Sequence, residues 1–215
     1  MIFHDRADGG RQLAVALQGY RNESCVVYAL PRGGVPVAAE VAQALHAPLD
    51  LILVRKIGVP FQPELAMGAV VDGGSPVTVR NENVIAMAGI SESTFQQVCR
   101  RELAEVERRR TLYLGNRAPI SPEGRVAIVV DDGIATGASM SAALRAMRAR
   151  KPKKLVLATP VAPKDTIAEL RKEADEIVCL EIPEYFDAVG YFYRNFAQTT
   201  DAEVIEALKH CGSPK

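Results

Sequence analysis

The chain has 215 residues, 48% of them hydrophobic, which suits one α/β core with modest additions over residues 1–215. Its 26 basic and 26 acidic residues balance, whereas a nucleic-acid binder usually carries a basic excess, so no nucleic-acid partner is expected. No apolar stretch is long enough to span a bilayer and residues 1–12 lack a signal-peptide core, so the expectation is no membrane partner and a cytoplasmic setting.

Residues 5–19 read as a first helix, with Leu13, Ala14, Ala16 and Leu17 on its apolar side and Asp8 as a candidate cap. Residues 25–30 form a short buried strand. The run Pro31-Arg32-Gly33-Gly34-Val35-Pro36 interrupts it, and residues 37–45 return to a helical pattern. Two glycines let the backbone come close to an anion, and Arg32 adds a fixed charge with a forked donor set. Residues 49–54 read as the next buried strand, ending in Arg55-Lys56. Two cations at a strand end suit either an exposed edge or a clamp on a polyanion. Residues 57–65, with Gly58, Pro60 and Pro63, read as a loop. Pro60, Phe61 and Gln62 are candidates for a segment that closes over a ligand, and Glu64 reads as solvated.

Residues 66–71 and 76–80 suggest a hairpin joined by Asp72-Gly73-Gly74-Ser75, followed by a short helix over 81–88. Residues 91–114 predict the longest helix, opened by Ser91 and Glu92. Its arginines are interleaved with Glu102, Glu105 and Glu107, the pattern of a salt-bridged solvated face rather than of a nucleic-acid helix. Residues 116–124 are a loop.

The organising stretch follows. Val126, Ala127, Ile128, Val129 and Val130 form an apolar run that fits a strand buried on both faces. It ends in Asp131 and Asp132. A loop containing Gly133, Thr136, Gly137 and Ser139 comes next, and then a helical pattern with Met140, Ala143, Leu144 and Met147 on one face. Glycines let backbone N–H groups crowd around an anion, and a helix N-terminus adds donors and a positive dipole end. Thr136 and Ser139 offer hydroxyls to the same anion. Adjacent carboxylates suit sugar hydroxyls or a hydrated metal ion. The ligand so described has a phosphate at one end and a diol beside it, as in a ribose 5-phosphate. No Walker Gly-Lys-Ser/Thr and no Rossmann Gly-x-Gly-x-x-Gly is present.

Residues 154–159 predict another buried strand, broken by Pro160 and Pro163. A helix over 165–173 and a last strand over 176–180 follow. Strands alternating with helices imply a largely parallel sheet with right-handed crossovers and ligands beyond the carboxyl ends of the strands. Arg32, Arg55 and Asp131 all follow expected strand ends, which would bring them to one rim. Residues 183–196 hold half of the chain's aromatics, and residues 201–210 close as a helix. Cys25, Cys99, Cys179 and Cys211 are scattered, which argues against a zinc site or a disulfide framework.

The stretch from Arg125 to Met140 resembles the signature of the type I phosphoribosyltransferases, which use phosphoribosyl pyrophosphate (PRPP). The resemblance spans roughly residues 10–200 and is nearest to uncharacterised members of the family. It implies an α/β fold: one domain with a central, mostly parallel sheet flanked by helices, a C-terminal hood near 182–200, and a hairpin and long-helix insertion. It implies that Asp131 and Asp132 bind the ribose hydroxyls, holding Mg2+ only indirectly, through those hydroxyls or water. Ala135, Thr136, Gly137, Ala138 and Ser139 would wrap the 5′-phosphate. Arg32, Gly33 and Gly34 would hold pyrophosphate, with Arg55 and Lys56 as catalytic clamp candidates. Tyr185 or Phe186 would stack on a planar acceptor. The implied activity is transfer of a 5-phosphoribosyl group from PRPP to a nitrogen acceptor, with a nucleobase as the leading choice. The alternative is a PRPP- or nucleotide-binding regulator. Purine-salvage members carry an Asp immediately before the Thr-Gly of the phosphate loop, where this chain has Ala135. A homodimer is a family expectation.

Overall fold

The computed structural model describes residues 2–72 and 76–210. The turn expected at residues 73–75 and Cys211 lie outside the described residues. The elements run α1 (Arg6–Ala16), β1 (Cys25–Ala29), α2 (Gly34–Leu45), β2 (Leu49–Leu51), β3 (Val54–Val59), β4 (Gln62–Val71), β5 (Val77–Arg80), α3 (Glu82–Met87), α4 (Glu92–Leu114), β6 (Val126–Val130), α5 (Ala138–Ala149), β7 (Lys154–Val161), α6 (Lys164–Leu170), β8 (Glu176–Glu181) and α7 (Asp201–His210). Short 3-10 turns occupy Gln18–Tyr20 and Val189–Phe192.

The continuous apolar runs form the centre of a five-stranded parallel sheet in the order β2-β1-β6-β7-β8. Every residue of β1 and β6 is buried. Side chains alternate across a strand, so one run supplies two cores. Cys25, Val27 and Ala29 of β1 join Ile128 and Val130 of β6, Leu13 of α1, Leu17 just after it and Val41 of α2. Val26 and Tyr28 face the other way, with Val129, Leu144, Met147 and Leu157. The expected apolar side of the helix after the signature is confirmed: Met140, Ala143, Leu144 and Met147 of α5 are all buried.

Several boundaries differ from the sequence reading. Asp5, not Asp8, caps α1: its side chain accepts the N–H of Asp8 at 2.8 Å. The strand expected over 49–54 stops at Leu51. After Ile52 and Leu53 the chain leaves the parallel sheet, and β3, β4 and β5 form a separate antiparallel sheet. The loop expected over 57–65 is instead the β3–β4 hairpin. Ile57 and Val59 are fully buried, the period-2 signal that Gly58, Pro60 and Pro63 obscured. Pairing slips around Gly58, so Pro63 is accommodated where the ladder is already irregular. Strand β7 likewise runs through Pro160 to Val161. Its pairing with β6 ends at Ala158, so the missing proline N–H costs no bond on that side. The salt-bridged reading of the long helix holds: Glu105 of α4 accepts from Arg108 and Arg109.

Candidate active site

The chain turns sharply out of β1 at Pro31 and out of β6 at Asp131, on adjacent strands paired in register, with Ala29 opposite Val130. The two turns therefore touch. A Cβ on Gly33 would collide with Oδ2 of Asp132, and one on Gly34 would lie 2.8 Å from the carbonyl oxygen of Val130. Only glycine lets the loop pass this close to the acid pair. Residues Arg32–Gly34 and Asp131–Asp132, read separately from the sequence, thus form one corner at the carboxyl end of the sheet.

The acid pair has unequal surroundings. Asp131 Oδ1 accepts the N–H of Asp132 at 2.9 Å. Burial pushes the Asp131 carboxyl well above the usual carboxylate range, and the neighbouring Asp132 charge adds to it, although one edge of the residue still reaches solvent. Asp132 is buried, and its Oδ2 accepts from Arg6 Nε at 2.6 Å. Its backbone carbonyl accepts the hydroxyl of Tyr193. Arg6 also donates through NH1 to the carbonyl of Ala197 at 2.6 Å, and its guanidinium lies 3.8 Å over the ring of Phe196.

The loop after the acids leads into α5 through Gly137, which sits in the left-handed region at φ +75°. That glycine makes no side-chain cap, so the first-turn N–H groups of α5 receive no capping side chain. Ala135, Thr136, Ala138 and Ser139 are exposed around this helix end, and Thr166 of α6 braces the loop by donating its hydroxyl to the Ala135 carbonyl at 2.7 Å. An uncapped helix N-terminus ringed by two exposed hydroxyls is an anion cradle.

The cationic candidates separate. Arg32 leaves its loop toward Asp201 at the start of α7, at 3.5 Å. The Tyr113 hydroxyl donates to the same Asp201 carboxylate at 2.7 Å, and these contacts hold Asp201 below the usual carboxylate range. Arg55 does not follow a parallel-sheet strand end and does not join the rim. It lies within β3, and its Nε and NH2 both donate to buried Glu102 of α4, at 3.0 and 2.7 Å. Lys56 pairs with Glu64 at 3.1 Å and lines a cleft of about 530 Å³ between the antiparallel sheet and α5, where Ala138, Ser139 and Arg145 also lie. Lys56 thus comes to the cradle side, while Arg55 fastens β3 to α4. In the tail, Phe186 stacks on Phe192 with ring centroids 5.7 Å apart, and Tyr185 is 87% exposed.

A family profile described as "Phosphoribosyl transferase domain" matches residues 3–194. The chain belongs to this phosphoribosyl transferase family. It is 49% identical over 207 residues to a Mycobacterium tuberculosis protein named "Putative phosphoribosyl transferase", a match covering 96% of this chain and 46% of that protein. The chain therefore spans about half the length of the curated relatives it matches. Among solved structures, TT1426 of Thermus thermophilus is 39% identical, with a TM-score of 0.86 and coverage of 99% of this chain and 100% of that one. The AQ2163 protein of Aquifex aeolicus shares the fold at 11% identity and a TM-score of 0.51, over 86% of this chain and 78% of that one.

Three side chains that the sequence did not single out pack around the acid pair: Arg6 and Tyr193 on Asp132, and Phe196 against both of them. Arg6 stands 126 positions from Asp132, in a polar segment that reads as an ordinary helix start. The link is made by a bridge between Phe3 and Tyr193, which brings the first residues and the tail together beside the acid pair. No spacing within either segment signals that contact.

Proposed function

We propose that the chain transfers a 5-phosphoribosyl group from PRPP to a ring nitrogen of a nucleobase, with release of pyrophosphate. The observation that carries this reading is the contact between the Gly33-Gly34 turn and the Asp131-Asp132 pair, one helix entry away from the uncapped α5 N-terminus. Three sub-sites in that order match the pyrophosphate, the ribose diol and the 5′-phosphate of a single donor.

In the proposed reaction the C1′–O bond to pyrophosphate breaks and a C1′–N bond forms. Pyrophosphate keeps the bonding pair, and the acceptor nitrogen gives up its proton to the departing pyrophosphate or to water. The transition state is oxocarbenium-like. Asp131 and Asp132 hold the diol, and the α5 N-terminus with Thr136 and Ser139 holds the 5′-phosphate. The backbone of Arg32–Gly34 lines the pyrophosphate side, and Lys56 comes from the cleft wall. Fixed dipoles and charges so placed act by positioning and electrostatics.

Magnesium fits this donor set. Among the described residues no cluster of three or more His, Cys, Asp or Glu side chains could hold a metal by itself. Asp131 and Asp132 would hold the ion only indirectly, through ribose hydroxyls or water, and its other oxygens would come from pyrophosphate and water, which suits Mg2+. When bound, the ion supplies neutralisation of the leaving group. On the acceptor side, Phe186, already backed by Phe192, is the better-supported stacking surface than the exposed Tyr185.

One observation favours a regulator instead. Ala135 puts no carboxylate where a base proton would be taken, and it lies exposed at the cradle. The deciding experiment is pyrophosphate release from PRPP and Mg2+ with a panel of purines and pyrimidines. Release stimulated by one base is the expected result and names the acceptor. Tight PRPP binding with no stimulated release would establish the regulator.

A further inference from the structure

We infer that Arg6 is a positioning residue for the ribose half of the site, taking up one oxygen of the Asp132 carboxylate so that the other is free to meet the donor's diol. The inference rests on the reading of Asp131 and Asp132 as the ribose carboxylates. Its starting point is an electrostatic difficulty. Two consecutive carboxylates at a buried strand end repel each other and lose hydration, and the glycine turn packed against Asp132 admits no further group on that side. A nearby cation is required for the pair to accept hydroxyl donors as an anion. Arg6 is that cation, at 2.6 Å, with both side chains largely buried at 12% and 13% exposure.

The guanidinium is fixed at three points. Nε is on Asp132, NH1 is on the Ala197 carbonyl, and the plane lies on Phe196. A planar fork held this way presents a single geometry to the carboxylate, which an ammonium on a flexible stem does not. Arg6 takes up Oδ2 and leaves Oδ1 to be aimed. Tyr193 fixes the same residue from its backbone carbonyl and stacks on Phe196 at 5.1 Å, so carboxylate and tail move as one unit. A contact serving only to tie the tail down would need the Ala197 carbonyl and the Phe196 ring. It would not need the carboxylate.

The test separates the two ends of the donor. PRPP affinity is measured by calorimetry and inorganic pyrophosphate affinity by phosphorus NMR titration, both with Mg2+, for the wild-type chain, Arg6→Gln and Arg6→Lys. Arg6→Gln is expected to weaken PRPP by about 10-fold or more, the scale of a missing charge-assisted hydrogen bond, and to leave pyrophosphate within about 2-fold. Arg6→Lys, which keeps the charge without the fork, is expected to recover part of the affinity and serves as the variant should Arg6→Gln fail to fold. Equal weakening of both ligands, or unchanged PRPP affinity in Arg6→Gln, overturns the inference. If Asp131→Asn with Asp132→Asn abolishes PRPP binding while Arg6→Gln leaves it unchanged, the inference falls and the ribose assignment stands. A wild-type chain that does not bind PRPP overturns both.

Discussion

The rim of the parallel sheet and the inserted lobe of β3–β5, α3 and α4 are built on different physical terms. Strands β1 and β6 beneath the rim are wholly apolar and wholly buried, and the acid pair and the glycine turn project from their ends. Burial of the strands places their ends, and Arg6 and Tyr193 then hold Asp132 there. The lobe joins the apolar core through Ile57, Met67, Val70 and Phe95 and adds a set of ion pairs. Arg55 and Arg101 converge on buried Glu102, Arg110 pairs with buried Asp72, and Arg80 bridges Glu82 and Glu92 while lying 4.1 Å over Phe95. Its margins leave Phe61 72% and Met87 88% exposed. The molecule thus sets a rim backed by buried strands beside a lobe whose margins are exposed and whose packing is reinforced by ion pairs.

The strongest test of this contrast is at the rim. Asp131→Asn with Asp132→Asn removes two anionic acceptors from the diol. It is expected to lower PRPP affinity by about 100-fold or more and to leave the circular dichroism spectrum intact. Affinity retained in calorimetry would dissolve the rim as a site. Next in size is the lobe. Glu102→Ala strands two guanidinium groups and is expected to cost about 2 kcal/mol in urea unfolding, less than a fully buried pair because Arg55 keeps a solvent face. PRPP affinity should not change. A parallel collapse of affinity would show that Arg55 serves the ligand after all.

A smaller effect, of opposite sign, belongs to Asp131 alone. Its carboxyl titrates higher in the folded chain than in the unfolded one, so folding favours the protonated form. That contribution is complete below the unfolded pKa and is lost as pH rises through the raised folded value. Asn imitates the protonated form, so Asp131→Asn should stabilise the fold by about 1 kcal/mol at pH 7, a gain that fades toward pH 3. Stability would rise while PRPP affinity falls, and thermal melts at the two pH values would show it. The smallest expected change is Lys56→Met. Its ammonium is half-exposed and shared with Glu64, so stimulated pyrophosphate release should slow by no more than about 5-fold.

Legibility in the sequence follows the same division. The run Val126–Val130 and the two carboxylates after it could be placed because a strand buried on both faces leaves an unbroken apolar signature, and the chemistry begins where that signature stops. The Gly33-Gly34 turn was legible for the same reason. The stretch from Val54 to Val71 was not. Its buried residues alternate, and Gly58, Pro60 and Pro63 supply loop signals that the β3–β4 bulge absorbs. Arg55 was misplaced because its partner Glu102 lies 47 positions away on another element. Arg6 escaped notice because nothing local distinguishes an arginine that seats a carboxylate from one that faces water. Tertiary pairing of charges leaves no period to read.

The pairing of most of the charged site candidates has a kinetic consequence. Asp132 holds Arg6, Arg32 meets Asp201, Lys56 meets Glu64 and Arg55 meets Glu102. Each of these four pairs joins opposite charges, and the chain as a whole is neutral. Beyond one Debye length such a surface presents little field to an approaching polyanion. Encounter with the donor should then proceed at the unsteered rate, on the order of 10⁵–10⁶ M⁻¹s⁻¹, and stay nearly flat as ionic strength is raised in stopped-flow mixing. A site of this kind recognises its ligand on contact, by exchanging internal ion pairs for external ones, and draws its selectivity from how long the donor stays rather than from how fast it arrives.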